Sequence, residues 1–220
     1  MRERIVKAER ELAAGRSYAY AAAAHFTVKY DGAQTDRRNP GTQKLARLAG
    51  VDAEDIVWLA GSTQEPEEAI VLSVFRKLAA EFPRLKLILV PRHPERFEEV
   101  AQLLSDSGVP WRRRSQLDDH QKHAPTRILL VDAVGELGYW WGTASIAFVG
   151  GSLGLRGGQN MIEPAAYGAA VCFGPNTRNF RDVVDHLLAA QAAVVVHDAQ
   201  ELEAFVRRAI TDRDFAARLG

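Results

Sequence analysis

Two pairs of residues carry side chains that can do chemistry. Arg92 and His93 stand directly behind the apolar run Leu87–Val90, and Asn160 and Glu163 stand in a glycine-rich stretch, residues 146–170. A guanidinium clamps a carboxylate or phosphate through paired N–H donors, and an adjacent imidazole adds one more donor. A carboxylate in the first turn of a helix accepts hydrogen bonds from paired hydroxyls such as those of a ribose. The glycine stretch begins with the β-branched and aromatic run Ile146–Val149, a buried strand by its composition. Six glycines follow between Gly150 and Gly168. Glycine brings the backbone close to a ligand because no Cβ intervenes, and a loop leading into a helix offers free N–H groups to an anion. The same residues also read as a tight strand-to-helix turn with Glu163 as a cap. Arg92, likewise, reads either as an anion ligand or as a surface ion pair with Glu95 or Glu98.

Other segments repeat the pattern of a strand followed by polar or glycine residues. Gly61-Ser62-Thr63 follows Ile56–Ala60 and reads as a turn offering amides and hydroxyls to an anion, or as a helix N-cap. Gly135-Glu136 opens a helix after Asp132-Ala133, with Tyr139, Trp140 and Trp141 on it as packing residues rather than a stacking platform. The segment DDHQKH holds His120 and His123 beside Asp118 and Asp119, and reads as an exposed polar loop rather than a metal site. The basic run Arg112-Arg113-Arg114 reads as a solvated loop.

The elements that must position these residues alternate. Thr42–Ala49 reads as a helix closed by Gly50, and Glu65–Phe82 as a helix with acids in its first turn. Leu85–Val90, Thr126–Val131, Ile146–Val149, Ala170–Phe173 and Ala193–Val196 read as strands. Helices are expected at Glu95–Ser105, Gly135–Thr143, Met161–Tyr167, Phe180–Ala190, Ala199–Ile210 and Asp212–Leu219. Continuous apolar strands separated by helices imply an α/β fold, a Rossmann-like doubly wound parallel sheet with right-handed crossovers. Ligands of such sheets bind beyond the carboxyl ends of the strands, where every motif named above falls. Residues 1–25 read as a separate N-terminal helix, and 26–220 as the nucleotide-binding domain, entered through the strand and turn Phe26–Asp31.

The stretch GGSLGLRGGQNMIEPAAYG resembles the signature of the Kdo transferases, inverting glycosyltransferases that move 3-deoxy-D-manno-octulosonic acid (Kdo) from CMP-Kdo to lipid A precursors. LAGSTQEPEEAIVL, LILVPRHPERFEEV and LLVDAVGELGYWWGTASIAFVGGS agree with the family in order and spacing, from about Val28 to the C-terminus. The resemblance implies the C-terminal, donor-binding half of a GT-B glycosyltransferase. It further implies that Ser62, Arg92, His93, Gly135, Glu136, Gly151, Ser152, Gly158, Asn160 and Glu163 bind CMP-Kdo. Gly151 and Ser152 would face the phosphate, Gly157 and Gly158 would allow close approach, and Asn160 and Glu163 would hold the phosphate and ribose ends. Lys29 matches the family's entry pattern, whereas Ala133 stands where the family usually has a threonine. The general base belongs to the family's N-terminal half, so no catalytic residue is assigned here and turnover by this chain alone is not expected. No cofactor or metal is implied beyond the donor. The lipid A precursor, and the cytoplasmic face of a bacterial inner membrane, would be met through the other half.

Composition narrows the alternatives. Lysine plus arginine and aspartate plus glutamate number 28 each, which gives no basic face for nucleic acid. The single cysteine, Cys172, lies in an apolar run and reads as a core residue. No apolar run reaches the ~20 residues of a spanning helix, so the chain is expected to be soluble. An amphipathic N-terminal helix would equally suit a homodimer. A UDP-sugar transferase or epimerase relative, or a non-catalytic nucleotide-binding module, would share the glycine loop followed by an acid.

Overall fold

The computed structural model describes residues 34–118 and 126–220. The expected N-terminal helix, the Phe26–Asp31 strand with Lys29, and the His120/His123 segment with Asp119 lie outside them. Seven parallel strands form one sheet in the order β3-β4-β2-β1-β5-β6-β7. They are β1 (Ile56–Thr63), β2 (Leu85–Pro91), β3 (Trp111–Arg113), β4 (Ile128–Leu130), β5 (Ile146–Val149), β6 (Ala170–Phe173) and β7 (Ala193–Val195). The helices are α1 (Pro40–Leu48), α2 (Glu67–Glu81), α3 (Phe97–Asp106), α4 (Leu137–Trp140), α5 (Ile162–Ala166), α6 (Arg181–Ala189), α7 (Ala199–Thr211) and α8 (Arg213–Leu219).

Period-two alternation sends successive side chains of each strand to opposite faces, and both faces are covered. Val57, Leu59, Ile88, Val90, Ala147, Val149, Val171 and Phe173 share one core with residues of α1, α4, α5 and α6. Trp58, Ala60, Leu87, Leu89, Phe148, Ala170 and Cys172 share the other with α2, α3, α7 and α8. Full burial of each large side chain here, such as Phe148 or Leu59, removes apolar surface from water at about 1.5–3 kcal/mol. Cys172 is the buried core residue its surroundings implied, and burial pushes its thiol well up. Trp140 and Trp141 are likewise packed into the core.

Helix ends follow side-chain chemistry. Asn39 caps α1 through Thr42 N at 2.8 Å with Pro40 at the first helical position. Asp198 accepts from Gln200 N and Glu201 N to start α7, and Asp212 accepts from Phe215 N to start α8. Three expectations need correcting. Gly61-Ser62-Thr63 is not a turn: it completes β1, with a register shift between Gly61 and Thr63 against β2 and Ser62 at φ 55°. The strand continues because Thr63 still pairs with Pro91, and its carbonyl accepts from Arg92 N at 2.9 Å. Arg112 and Arg113 are not in a loop but in the edge strand β3, and Arg114 opens a 3-10 turn. The long helix expected over Gly135–Thr143 is the single turn α4 followed by a 3-10 turn, Trp141–Thr143.

Strand order reverses between β1 and β5. From β1 the chain builds outward to β2 and beyond; from β5 it builds the other way to β6 and β7. The crevice at this reversal, beyond the strand carboxyl ends, is where doubly wound sheets take their ligands.

Candidate functional site

The two loops flanking the reversal are tied together by an acid. Glu67, in the first turn of α2, is 1% exposed. One of its oxygens accepts from Gln64 N (2.9 Å) and Gly151 N (2.7 Å), the other from Ser152 N and Leu153 N (both 2.9 Å). Burial pushes the Glu67 carboxyl up, and the four backbone donors oppose that shift. Four N–H groups aimed at two oxygens leave no acceptor for a carboxyl proton, so the geometry is that of a carboxylate.

Other contacts complete the binding of this loop to the fold. Gly150 N donates to Gly61 O, and Gly158 N to Gly151 O. Ser152 is fully buried; its hydroxyl donates to Val149 O at 2.6 Å and accepts from Gly174 N at 2.8 Å. Gly150 has to be glycine because a Cβ would lie 2.6 Å from Thr63 Cα and 2.8 Å from a Glu67 oxygen. The amides expected to face a phosphate at Gly151 and Ser152 are therefore donated to Glu67. The close approach at Gly157 and Gly158 is to the β6–α6 loop. A Cβ on Gly157 would meet Arg178 Cγ at 2.6 Å, and one on Gly158 would meet Thr177 Cα at 3.3 Å. Asn179 stitches the two loops, donating its N–H to Gly157 O and its amide to Arg156 O, both at 3.0 Å.

The remaining site residues divide into engaged and available ones. Glu136 is engaged: Arg114 bonds both its oxygens (2.8 and 2.9 Å), and Trp140 Nε1 reaches it at 3.2 Å. Gly135, at φ 87°, stands beside it facing open space. Ser62 is nearly buried at the end of β1. His93 is half-exposed, with Nδ1 3.9 Å from Glu95. Arg92 is exposed and, among the described residues, makes no ion pair; Glu98, the alternative partner, is held by Arg113 at 2.5 and 2.7 Å. Asn160 positions Glu163. Its carbonyl oxygen accepts from Ile162 N, and its amide donates to Glu163 Oε1 at 3.0 Å. Glu163 is partly buried; desolvation raises its carboxyl, partly offset by Asn160. Its Oε2 faces Gly138, where even a Cβ would stand 4.0 Å away. Glu163 is thus a carboxylate braced on Oε1 whose Oε2, among the described residues, accepts no hydrogen bond.

A crystal structure of the C-terminal CMP-Kdo binding domain of WaaA from Acinetobacter baumannii superposes on this chain with a TM-score of 0.70 at 30% identity. The match covers 81% of this chain and 95% of that domain. The chain belongs to the Kdo transferase family. A 3-deoxy-D-manno-octulosonic acid transferase of Haemophilus influenzae is 39% identical over 194 residues, 88% of this chain and 44% of its own length. The Bordetella pertussis transferase is 38% identical over 155 residues, 69% of this chain and 36% of its own. The chain thus spans less than half the length of these curated relatives. WaaG, a glycosyltransferase of lipopolysaccharide biosynthesis, shares the fold alone, with a TM-score of 0.51 at 11% identity. No protein-family model matches the chain. The fold is the Rossmann-like C-terminal half of a GT-B glycosyltransferase, and no helix among the described residues is long and apolar enough to cross a membrane.

Proposed function

We propose that this chain is the donor-binding half of a Kdo transferase and holds CMP-Kdo in the crevice between the carboxyl ends of β1 and β5. The observation that carries this reading is Glu163, desolvated, braced by Asn160 and open on one oxygen. Such a carboxylate fits a ribose diol, which offers two hydroxyl donors to one acceptor pair. Arg92, exposed without an acidic partner at the end of β2, supplies a guanidinium for a phosphate or for the sugar carboxylate. The similarity to a domain described as CMP-Kdo binding supports the choice of nucleotide.

In the reaction proposed for the whole enzyme, an acceptor hydroxyl attacks the anomeric carbon while the bond to the phosphate oxygen breaks. The electron pair leaves with CMP. This half contributes by binding the nucleotide and neutralising that departing charge. The base that takes the hydroxyl proton, the contacts to a lipid A precursor and the approach to an inner membrane are assigned to the other half.

Calorimetric titration of the chain with CMP, against UMP and UDP, tests this function. The expected result is saturable binding that prefers CMP and weakens about tenfold or more in Glu163→Ala and in Arg92→Ala, since a hydrogen bond to a charged group contributes about 1.5–3 kcal/mol. A clear preference for UDP would overturn the donor assignment, and no binding of any nucleotide would refute a self-sufficient donor site.

A further inference from the structure

The usual place for a donor's negative charge in this fold is the set of amides at the glycine loop, and here a protein carboxylate already occupies it. Glu67 takes the N–H groups of Gly151, Ser152 and Leu153, while those of Gly150 and Gly158 go to backbone carbonyls. A second anion at the same amides would have to displace Glu67 or repel it at close range. These five amides are not open to the donor's charge, and nearby cationic side chains are the alternative.

Three arginines stand beside this loop. Arg156 is on it; Arg178 and Arg181 are on the β6–α6 segment packed against it. Among the described residues none of the three has an ion pair or a side-chain hydrogen bond. Arg178 is not loose on the surface: its Cγ and Nε lie directly over Gly157, so close that a Cβ there would stand 2.6 and 3.0 Å from them. Arg178 and Arg181 line a cavity of about 240 Å³ together with Gly157, Asn176 and Thr177, and no carboxylate lines it. The loop that forms its wall is fixed by Asn179 and by Asn176 N, which donates to Ser152 O at 3.0 Å. Two exposed arginines lining one concave place, with no acid in its lining, offer a seat for an oxyanion.

We propose that Arg178 and Arg181 form an oxyanion subsite that takes a charged group of the donor, either its phosphate or its sugar carboxylate. The proposal rests on the donor reading given above.

The test uses the 220-residue chain, wild type and Arg178→Gln/Arg181→Gln, with Arg76→Gln, an exposed residue two turns beyond Glu67 on α2, as a charge control. Each is titrated calorimetrically with CMP and with freshly generated CMP-Kdo. Arginine Nε–H resonances are followed while inorganic phosphate is added. The double variant should keep the melting temperature of wild type, because neither side chain bonds to the fold, and should bind CMP-Kdo at least tenfold more weakly. If the subsite holds the sugar carboxylate, CMP affinity stays unchanged. If it holds the phosphate, CMP weakens as well and phosphate shifts the Arg178 and Arg181 resonances in wild type. Equal affinities for both ligands in wild type, double variant and control would overturn the subsite while leaving the donor reading intact. If wild type binds neither CMP nor CMP-Kdo, the donor reading fails. The phosphate titration then decides the pocket separately: saturable shifts at Arg178 and Arg181 support an oxyanion seat, and none refutes it.

Discussion

Replacing Glu67 by glutamine should unlatch the loop at the centre of the crevice. The wild-type carboxylate accepts four N–H bonds of 2.7–2.9 Å, two on each oxygen. Glutamine fills the same volume but keeps one acceptor oxygen; its NH2 then faces two backbone donors with nothing to accept. Two bonds to a charged acceptor are lost, at about 1.5–3 kcal/mol each, which sums to about 3–6 kcal/mol. A domain is stable by only about 5–15 kcal/mol, so the loss takes a large share of the total. Urea unfolding should show the midpoint falling at unchanged slope. Amide exchange at whichever of Gly151, Ser152 and Leu153 lost its acceptor should accelerate far more than exchange in the core of β1 and β5. A change below about 1 kcal/mol, with those amides still protected, would refute the argument that the carboxylate holds the loop.

Two further perturbations separate function from packing. Desolvation raises the Glu163 carboxyl in the folded chain above its ordinary 4.5, so ionisation there opposes folding, and stability rises as pH falls through that raised value. Glu163→Gln should therefore leave neutral-pH stability equal or higher, flatten its pH dependence in that window, and still weaken CMP binding about tenfold, as thermal melts and calorimetry would show. Gly174→Ala places a Cβ 2.3 Å from Ser152 O and 2.6 Å from Leu153 N, backbone atoms that cannot rotate aside, and should cost about 3 kcal/mol or more. Gly154→Ala on the same loop, with Glu65 O nearest at 3.9 Å, should change stability by less than about 0.5 kcal/mol in the same unfolding assay.

The parts legible in the sequence are those whose signal is local. Ile146–Val149 and Ala170–Phe173 were readable to the residue, because a strand buried on both faces is a continuous apolar run bounded by polar or glycine residues. The helices were readable within a residue or two at most ends. Gly61-Ser62-Thr63 misled because turn-forming residue types stand there inside a strand, and the reason for Gly61 is a distant ring. A Cβ would come within 2.5 Å of Trp141. Strand β3 was hidden by its length of three residues and its arginines, which an edge position tolerates.

The candidate residues were legible as position along the sheet but not as partnership. The residues named from the sequence do gather at the strand carboxyl ends, and Asn160 and Glu163 do form a unit. Glu67 was missed because three of its four partners are backbone amides 84–86 positions away, and an acid in a helix's first turn already has a sufficient local explanation in the helix dipole. Ser152 and Glu136 have the residue types of ligands, yet their polar atoms bond within the protein. Composition cannot distinguish an available carboxylate from one already held by an arginine.

The most direct test of the central claim is a backbone chemical-shift map of the chain titrated with CMP. The account predicts saturable shifts at Asn160, Ile162, Glu163 and the carboxyl ends of β1 and β5, with α3 and the outer face of α7 unmoved. Shifts confined to any other surface, or none at millimolar CMP, would contradict a nucleotide site at the reversal of the sheet.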